Sequence, residues 1–195
     1  MLNSTAINEL LSRNRDGKLC KRWCLMTPNG TLLAYSRPVD VNDLRKQAAI
    51  AAICWQEHRS RDGRASDPGE HPVEIREDGE QNPLHTLVIE SETSNIIMRQ
   101  IQKQLLLVLE GGVPPRRAAF VKTTTAEGAN GTRLLSNPNE GHAAATSSVA
   151  SDTNVSNGAS NALKLQRRKL DALADVILGD FEATGFRMPE GSITF

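Results

Sequence analysis

Residues able to carry out chemistry are few and scattered in this sequence. Cys20 and Cys24 are spaced C-x-x-x-C, Cys54 stands alone, and the four histidines lie mostly in or beside polar segments. A zinc site needs further ligands at a fixed spacing. An odd number of cysteines without a secretory signal argues against a disulfide framework. We therefore expect buried, reduced cysteines and no bound metal.

Nucleotide and acid–base chemistry also lack a signature. Neither a phosphate-binding G-x-x-x-x-G-K-[ST] loop nor a G-x-G-x-x-G after a strand occurs. Gly111 and Gly112 precede Val-Pro-Pro, which is typical of the end of a strand. No pattern places two acidic residues in one pocket, as general acid–base catalysis would require. The sequence therefore predicts no catalytic residue and no cofactor, and we expect a protein that is not an enzyme.

Charge and hydropathy restrict the partners. Lys+Arg and Asp+Glu number 23 each, whereas a general nucleic-acid binder usually has a basic excess. Arg116-Arg117 and 167–169 are short basic clusters, which we expect to be solvated; contact with acidic lipid or a phosphorylated partner is the alternative. No run of 18 apolar residues, signal peptide or lipidation motif is present. We expect a cytoplasmic protein that does not insert into membranes.

Apolar periodicity and turn signals predict three helices and five strands. Ser4 or Thr5 is expected to cap the first helix, and Asp40 or Asn42 the second, which runs to about Arg59. The third helix is predicted over 163–184. Strands are predicted over residues 19–26, 31–36, 84–90, 95–101 and 105–110. Asn29-Gly30 predicts a type I′ hairpin turn between the first two strands.

The second helix is apolar on more than one side. Leu44, Ala48, Ala51, Ala52 and Trp55 share one stripe, whereas Ile50, Ile53 and Cys54 fall mostly outside it. A helix that lies on a sheet needs a single apolar stripe. The helix is therefore either buried inside its own domain or contacts a second chain with its other side, and we favour the second chain. Trp23 and Trp55 are expected to anchor the core.

Polar segments separate these elements. Residues 60–83 are predicted to form an extended loop, 112–162 a disordered insertion, and 187–195 a C-terminal tail, because their composition cannot build a packed core. The domain is then 1–111 plus 163–186. Its fold class is α+β: five antiparallel strands carry the central helix on one face and the other two helices on the other.

This order resembles the roadblock/LC7 family, and within it the roadblock subunits of the Ragulator complex of late-endosomal and lysosomal membranes. The resemblance is carried by NELLS (8–12), NGTLLAYS (29–36), AAIAAICWQEHRSRDG (48–63), the three-strand run at 84–111 and LQRRKLDALADVI (165–177). It covers about two thirds of the chain. The insertion at 112–162 departs from the family pattern in a way typical of fungal sequences.

The resemblance implies a longin-like fold that forms dimers through the central helix and an edge strand. It assigns the contact to Ala49, Ile50, Ile53, Gln56 and Glu57 of the helix, with Leu87 and Ile89 on an edge strand at 84–90. The implied partner is a second roadblock-domain protein.

The function implied is that of a scaffold subunit in a Ragulator- or EGO-like complex on the cytoplasmic face of the late endosome, lysosome or vacuole. That complex docks Rag GTPases, regulates TOR signalling and is held to the membrane by a lipidated neighbour. Any nucleotide-exchange activity would belong to the assembly. The alternatives are a homodimeric regulator of a small GTPase and a dynein light chain of the roadblock type, although a dynein light chain is normally about half this length.

Overall fold

Seven strands and three helices make up the described part of the chain. The computed structural model describes residues 2–62, 83–114, 122–134 and 153–189. The helices are α1 (Ser4–Arg13), α2 (Val41–Asp62) and α3 (Thr153–Thr184). The strands are β1 (Cys20–Met26), β2 (Leu32–Tyr35), β3 (Leu84–Glu90), β4 (Ser94–Gln102), β5 (Leu105–Gly112), β6 (Thr123–Gly128) and β7 (Arg133–Leu134).

All strand pairs are antiparallel, in the order β2-β1-β5-β4-β3-β6-β7. The five predicted strands all form, and β3, β4 and β5 make the predicted meander. The prediction of a disordered insertion at 112–162 is wrong for 123–128 and 133–134, which are β6 and β7. A Thr-rich strand needs little core of its own when a neighbouring strand supplies its backbone hydrogen bonds.

The two faces of the sheet carry different helices, as predicted. On one face, α1 and α3 pack through Ile7, Leu11 and Leu170 against a core that includes Trp23. On the other face, α2 packs through Leu44 and Trp55, among others. Both tryptophans are fully buried. The fold-class prediction is therefore confirmed, with two strands added at one edge.

Three local predictions need correction. Asn3 caps α1, because its Oδ1 accepts the N–H of Ala6 at 3.1 Å. Strict alternation along 19–26 predicts that Cys20 faces away from Trp23, but Cys20 packs in the same cluster as Trp23, because a register shift occurs early in β1. The helix α3 begins at Thr153, ten residues before the predicted start at 163. Residues 60–62 of the predicted loop belong to α2. Residues 63–82 of that loop, 115–121 and 135–152 of the predicted insertion, and 190–195 of the tail lie outside the described residues.

The hairpin between β1 and β2 has a three-residue connection. The N–H of Gly30 donates to Thr27 O at 2.9 Å, and Thr27 N–H donates to Thr31 O at 2.9 Å. Pro28 and Asn29 therefore lie at the centre of the turn, and Gly30 follows with φ 89°. A proline has φ fixed near −65° and cannot occupy a type I′ position. The predicted hairpin is present, but its turn type was wrong.

A buried polar cluster fixes α3 to the sheet. Gln166 and Asn95 are both fully buried. Gln166 Oε1 accepts from Asn95 Nδ2 at 2.8 Å, and Gln166 Nε2 donates to Gly112 O at 2.7 Å and to Leu19 O at 3.0 Å. A single side chain thus joins α3 to β4, to β5 and to the residue before β1.

Candidate partner-binding surface

Helix α2 begins at a side-chain cap. Asp40 Oδ1 accepts the N–H of Asn42 at 2.8 Å and that of Asp43 at 3.3 Å. These bonds satisfy backbone donors that have no partner within the helix. Asp40 was one of the two caps predicted. The cap fixes where the helix starts and therefore which residues face the sheet.

The inner side of α2 is the predicted stripe. Its members are at most 5% exposed: Leu44, Ala48, Ala51, Ala52 and Trp55. The hairpin tip packs closely against this helix, since a Cβ at Gly30 would lie 3.4 Å from the Cβ of Ala52. Gln56 Nε2 also donates to Pro28 O at 3.2 Å. The hairpin therefore serves to hold α2 in place.

The outer side of α2 leaves two large apolar side chains in solvent. Ile50 is 52% exposed and Ile53 is 62% exposed. Ala49 and Glu57 are exposed beside them. We call these four residues the α2 surface. Gln56, also predicted to bind a partner, is exposed, but its side-chain amide donates a hydrogen bond to the hairpin. The structure thus places all five predicted helix residues away from the sheet, and their role in binding stays a prediction.

Charges of opposite sign lie at the two ends of the exposed pair Ile50 and Ile53. Lys46 lies one turn before Ile50, and Glu57 lies one turn after Ile53. Both side chains are exposed, and Lys46 Nζ is 3.8 Å from Asp43 Oδ1. An apolar centre with a charged rim is the usual anatomy of a protein interface. Lys46 was not among the predicted partner-binding residues, although its i, i+4 spacing to Ile50 places the two side chains side by side on the helix.

Strand β3 does not have the free edge that was expected at 84–90. Strand β4 pairs with one side of it and β6 with the other. The side chains of Leu87 and Ile89 are 0% and 3% exposed and belong to the core beneath α2. These two residues therefore support α2 and do not belong to the exposed patch formed by its outer side.

The cysteines lie where inert thiols are found. Cys20 and Cys24 are buried and Cys54 is half-buried, and none of the three is in a disulfide. Burial raises the pKa of Cys20 to about 11 and the pKa of Cys24 to about 12. Since the thiolate is the reactive form, both are poor nucleophiles at neutral pH.

Thiol labelling should therefore be selective. We expect an alkylating reagent at pH 8 to modify Cys54 alone in the folded chain, and all three cysteines after denaturation, because burial protects the other two. Intact mass spectrometry counts the adducts. Rapid modification of two or three cysteines under native conditions would contradict the burial of β1.

The basic cluster at 167–169 is less solvated than expected. Arg167 Nη2 donates to Glu127 Oε1 at 2.7 Å, and Lys169 Nζ donates to Asp16 Oδ2 at 2.9 Å. The bond to Asp16 raises the pKa of Lys169. Arg168 is exposed, as predicted. Arg116 and Arg117 lie outside the described residues.

The described ranges contain neither a metal-binding cluster nor a membrane-spanning helix. Among residues 2–62, 83–114, 122–134 and 153–189, no group of three or more His, Cys, Asp or Glu could hold a metal ion. In the same part of the chain, no helix is both long and apolar enough to cross a bilayer.

Solved bacterial structures are similar to this chain. A roadblock/LC7 domain from Streptomyces avermitilis is 16% identical over 54% of this chain and 77% of its own, with a TM-score of 0.42. MglB from Myxococcus xanthus aligns over 97% of both chains at 13% identity, with a TM-score of 0.54. The chain has the roadblock/LC7 fold.

The support for the roadblock/LC7 fold comes from structure rather than sequence. A gliding protein MglB from Thermus thermophilus is 16% identical over 56% of this chain and 73% of its own, with a TM-score of 0.39. A scan against protein-family profiles and a search of curated proteins each found no match. At 13% identity, the likeness to MglB from Myxococcus xanthus supports the roadblock/LC7 fold and says nothing of activity.

Proposed function

We propose that this chain is a non-catalytic adaptor that pairs with a second roadblock-fold domain through the α2 surface. The observation that carries the proposal is the exposure of Ile50 and Ile53 on the outer side of a helix whose inner side is already packed. Burying one such side chain contributes about 1.5–3 kcal/mol. A second apolar patch of this kind has no role in the chain's own core.

The proposed pair acts as a docking platform for a small GTPase. The roadblock/LC7 fold and the resemblance described above support this role, since that resemblance implies proteins that assemble around small GTPases. In this proposal the chain contributes architecture, and the hairpin at 27–31 and the core beneath α2 hold the α2 surface rigid. A rigid helix face loses little conformational entropy on binding.

We propose further that the platform is of the Ragulator or EGO type. In this form it would dock Rag GTPases on the cytoplasmic face of the late endosome, lysosome or vacuole and regulate TOR signalling. A lipidated subunit would attach the assembly to the membrane, and any nucleotide-exchange activity would belong to the whole assembly. What supports this assignment is the resemblance carried by residues 29–36 and 48–63.

A homodimeric regulator of a small GTPase is the second candidate, and the charges of α2 favour it. In an antiparallel pairing of two α2 helices about a two-fold axis, residues whose numbers sum to 103 lie opposite each other. Ile50 then faces Ile53 of the second copy, and Lys46 faces Glu57 of the second copy. The α2 surface together with Lys46 is thus complementary to itself, with apolar side chains facing each other and opposite charges facing each other.

Charge reversal separates the two candidates. Lys46→Glu should weaken a homodimer roughly 5- to 30-fold, because two attractive exposed pairs become repulsive. The double variant Lys46→Glu/Glu57→Lys should restore a homodimer but leave a heterodimer impaired, since the other protein is unchanged. Analytical ultracentrifugation measures both. Arg45→Glu is the matched control, because Arg45 is exposed but lies about 100° around the helix from Lys46.

The outcomes decide between the candidates directly. Restoration by the double variant identifies a second copy as the partner and removes the heterodimeric adaptor. A chain that is monomeric when purified alone, and that binds a different roadblock protein, removes the homodimer. Equal effects of Arg45→Glu and Lys46→Glu would contradict the proposed position of the interface on α2.

A further inference from the structure

Strand β6 covers the outer edge of β3 along its whole length. The register runs from Leu84 opposite Gly128 to Glu90 opposite Thr123. Apart from Ala126 and Gly128, the residues of β6 are exposed or half-buried. The strand is therefore held by its backbone pairing with β3 and by a small number of side-chain contacts.

The first of these contacts is Ala126. It lies opposite Leu87, is 8% exposed, and belongs to the core cluster beneath α2 that contains Trp55. Because the neighbours of Ala126 are buried side chains, a large residue at this position would have to displace them. The site on the α2 side of β3 is thus suited to a small residue.

The second contact is Glu127, which points to the opposite face of the sheet. Arg167 on α3 donates two hydrogen bonds to the carboxylate of Glu127. Arg167 Nη2 donates to Glu127 Oε1 at 2.7 Å, and Arg167 Nη1 donates to Glu127 Oε2 at 3.1 Å. The side chains of Glu127 and Arg167 are 16% and 33% exposed. Paired hydrogen bonds from a planar guanidinium select a carboxylate by geometry as well as by charge.

The edge of the sheet at β2 is closed by different means. At β2, the N–H of Tyr35 donates to Asn8 Oδ1 at 2.7 Å, and the N–H of Arg37, two residues further on, donates to Ser12 Oγ at 2.9 Å. Side chains of α1 thus accept hydrogen bonds from backbone N–H groups that a strand from another chain would need in order to pair with β2. An uncovered strand edge attracts a strand from another chain. The edge of β3 differs from that of β2 because a complete strand, β6, fills it.

We infer that the outer edge of β3, together with Arg167, is a strand-binding site selective for an extended segment with a small residue followed by Glu. The chain fills this site with its own β6. A partner that docks on the α2 surface therefore meets a sheet whose edge is already paired, and binds without joining its sheet to β3. The strand-binding site does not depend on the proposed function, because it concerns contacts within one chain; the consequence for a docked partner rests on that function.

The test weakens the pairing of β6 with β3 by a substitution in the full-length chain, and then measures whether a synthetic peptide with the β6 sequence binds to β3. Glu127→Arg places like charges together, so hydrogen exchange of the β3 and β6 amides should accelerate about tenfold or more. The variant should then bind a synthetic peptide of residues 122–134, KTTTAEGANGTRL. The unaltered chain should bind this peptide far more weakly, because its site is filled. Fluorescence anisotropy of the labelled peptide measures the binding.

Three controls test whether the effects depend on the pair formed by Glu127 and Arg167 and on the sequence of the strand. Glu92→Arg reverses an exposed charge in the β3–β4 turn and should leave the exchange rates unchanged. Peptides carrying Ala126→Leu or Glu127→Arg should bind the released site much more weakly than the native peptide. In the chain, Glu127→Arg/Arg167→Glu should restore protection of the amides, since the pair is rebuilt with its charges exchanged.

Two results would overturn the inference. Unchanged exchange in the Glu127→Arg chain would mean that the pair with Arg167 does not hold β6. Accelerated exchange with equal binding of native and altered peptides would mean that the β3 edge does not select its strand. Both readouts differ from the pairing measured for the α2 surface, so failure of one proposal is distinguishable from failure of the other.

Discussion

Replacing Ile53 with Asp should abolish pairing through α2 while leaving the fold intact. The side chain is 62% exposed in the single chain, so a carboxylate there remains hydrated and the domain loses little stability. In a pair, the same carboxylate would be buried against an apolar neighbour without a counter-charge, which is strongly unfavourable. We expect the dissociation constant to rise about a hundredfold or more. Sedimentation velocity of the purified chain, alone and with its partner, measures this change.

The control for this experiment is Val176→Asp. Val176 on α3 is 55% exposed, close to the value for Ile53, but it lies on the other face of the sheet. This variant should pair like the unaltered chain. Circular dichroism should show the same helical signal and a similar melting temperature for both variants. Equal loss of pairing in the two variants would mean that an added surface carboxylate weakens association wherever it lies, and that the α2 surface is not the interface.

Replacing Gln166 with Leu should produce the largest loss of stability among the variants considered. The change removes the acceptor of Asn95 Nδ2 and leaves the carbonyls of Leu19 and Gly112 without this donor. Gln166 and Asn95 are both fully buried. A buried polar group that loses its partner costs about 1–3 kcal/mol. We expect the free energy of unfolding to fall by about 3 kcal/mol or more, and the melting temperature by about 6–12 °C. Differential scanning calorimetry measures both.

A glycine pair provides an independent check on this cluster. A Cβ on Gly111 would overlap the amide of Gln166, whereas a Cβ on Gly179, within α3, would meet nothing within 4 Å. Gly111→Ala should therefore destabilise the chain to a similar degree as Gln166→Leu. Gly179→Ala should be neutral or slightly stabilising, since alanine favours a helix by about 1 kcal/mol. If both alanine variants melt alike, the amide of Gln166 does not fix α3 to the sheet.

Local patterns were sufficient to predict most of the fold. Helical periodicity alone places the apolar stripe of α2 against the sheet and leaves Ile50 and Ile53 outside. The strand β3 was predicted with its observed bounds because alternation and turn residues act over a few neighbours. These features depend on short stretches of chain, and the sequence displays them directly.

Features that depend on distant contacts were not predictable in this way. The segment TTTAEG has little apolar character, and it becomes a strand because β3, more than thirty residues earlier, offers an unpaired edge. Glu127 carries no local signal that its partner is Arg167, forty residues later. The same limit explains the expected free edge at 84–90, since nothing in LHTLVIE indicates which strand covers it.

The ordered part of the insertion also changes an expectation about truncation. If the whole insertion were disordered, deleting 114–160 would leave folding intact. The structure places β6 and the first turns of α3 within it. A deletion that removes β6 would uncover the backbone of β3 and leave Arg167 without its carboxylate. A buried or half-buried charge that loses its partner is costly, so such a deletion is expected to destabilise the domain.

Affinity purification of the tagged chain from its native cells, with the bound proteins identified by mass spectrometry, tests the central claim most directly. The unaltered chain and Val176→Asp should both recover a second roadblock-fold protein together with a small GTPase, and Ile53→Asp should recover neither. Recovery of the same proteins with Ile53→Asp would place the interface elsewhere. Recovery of dynein intermediate chains, or of no GTPase at all, would contradict the proposed docking function while leaving the roadblock/LC7 fold unaffected.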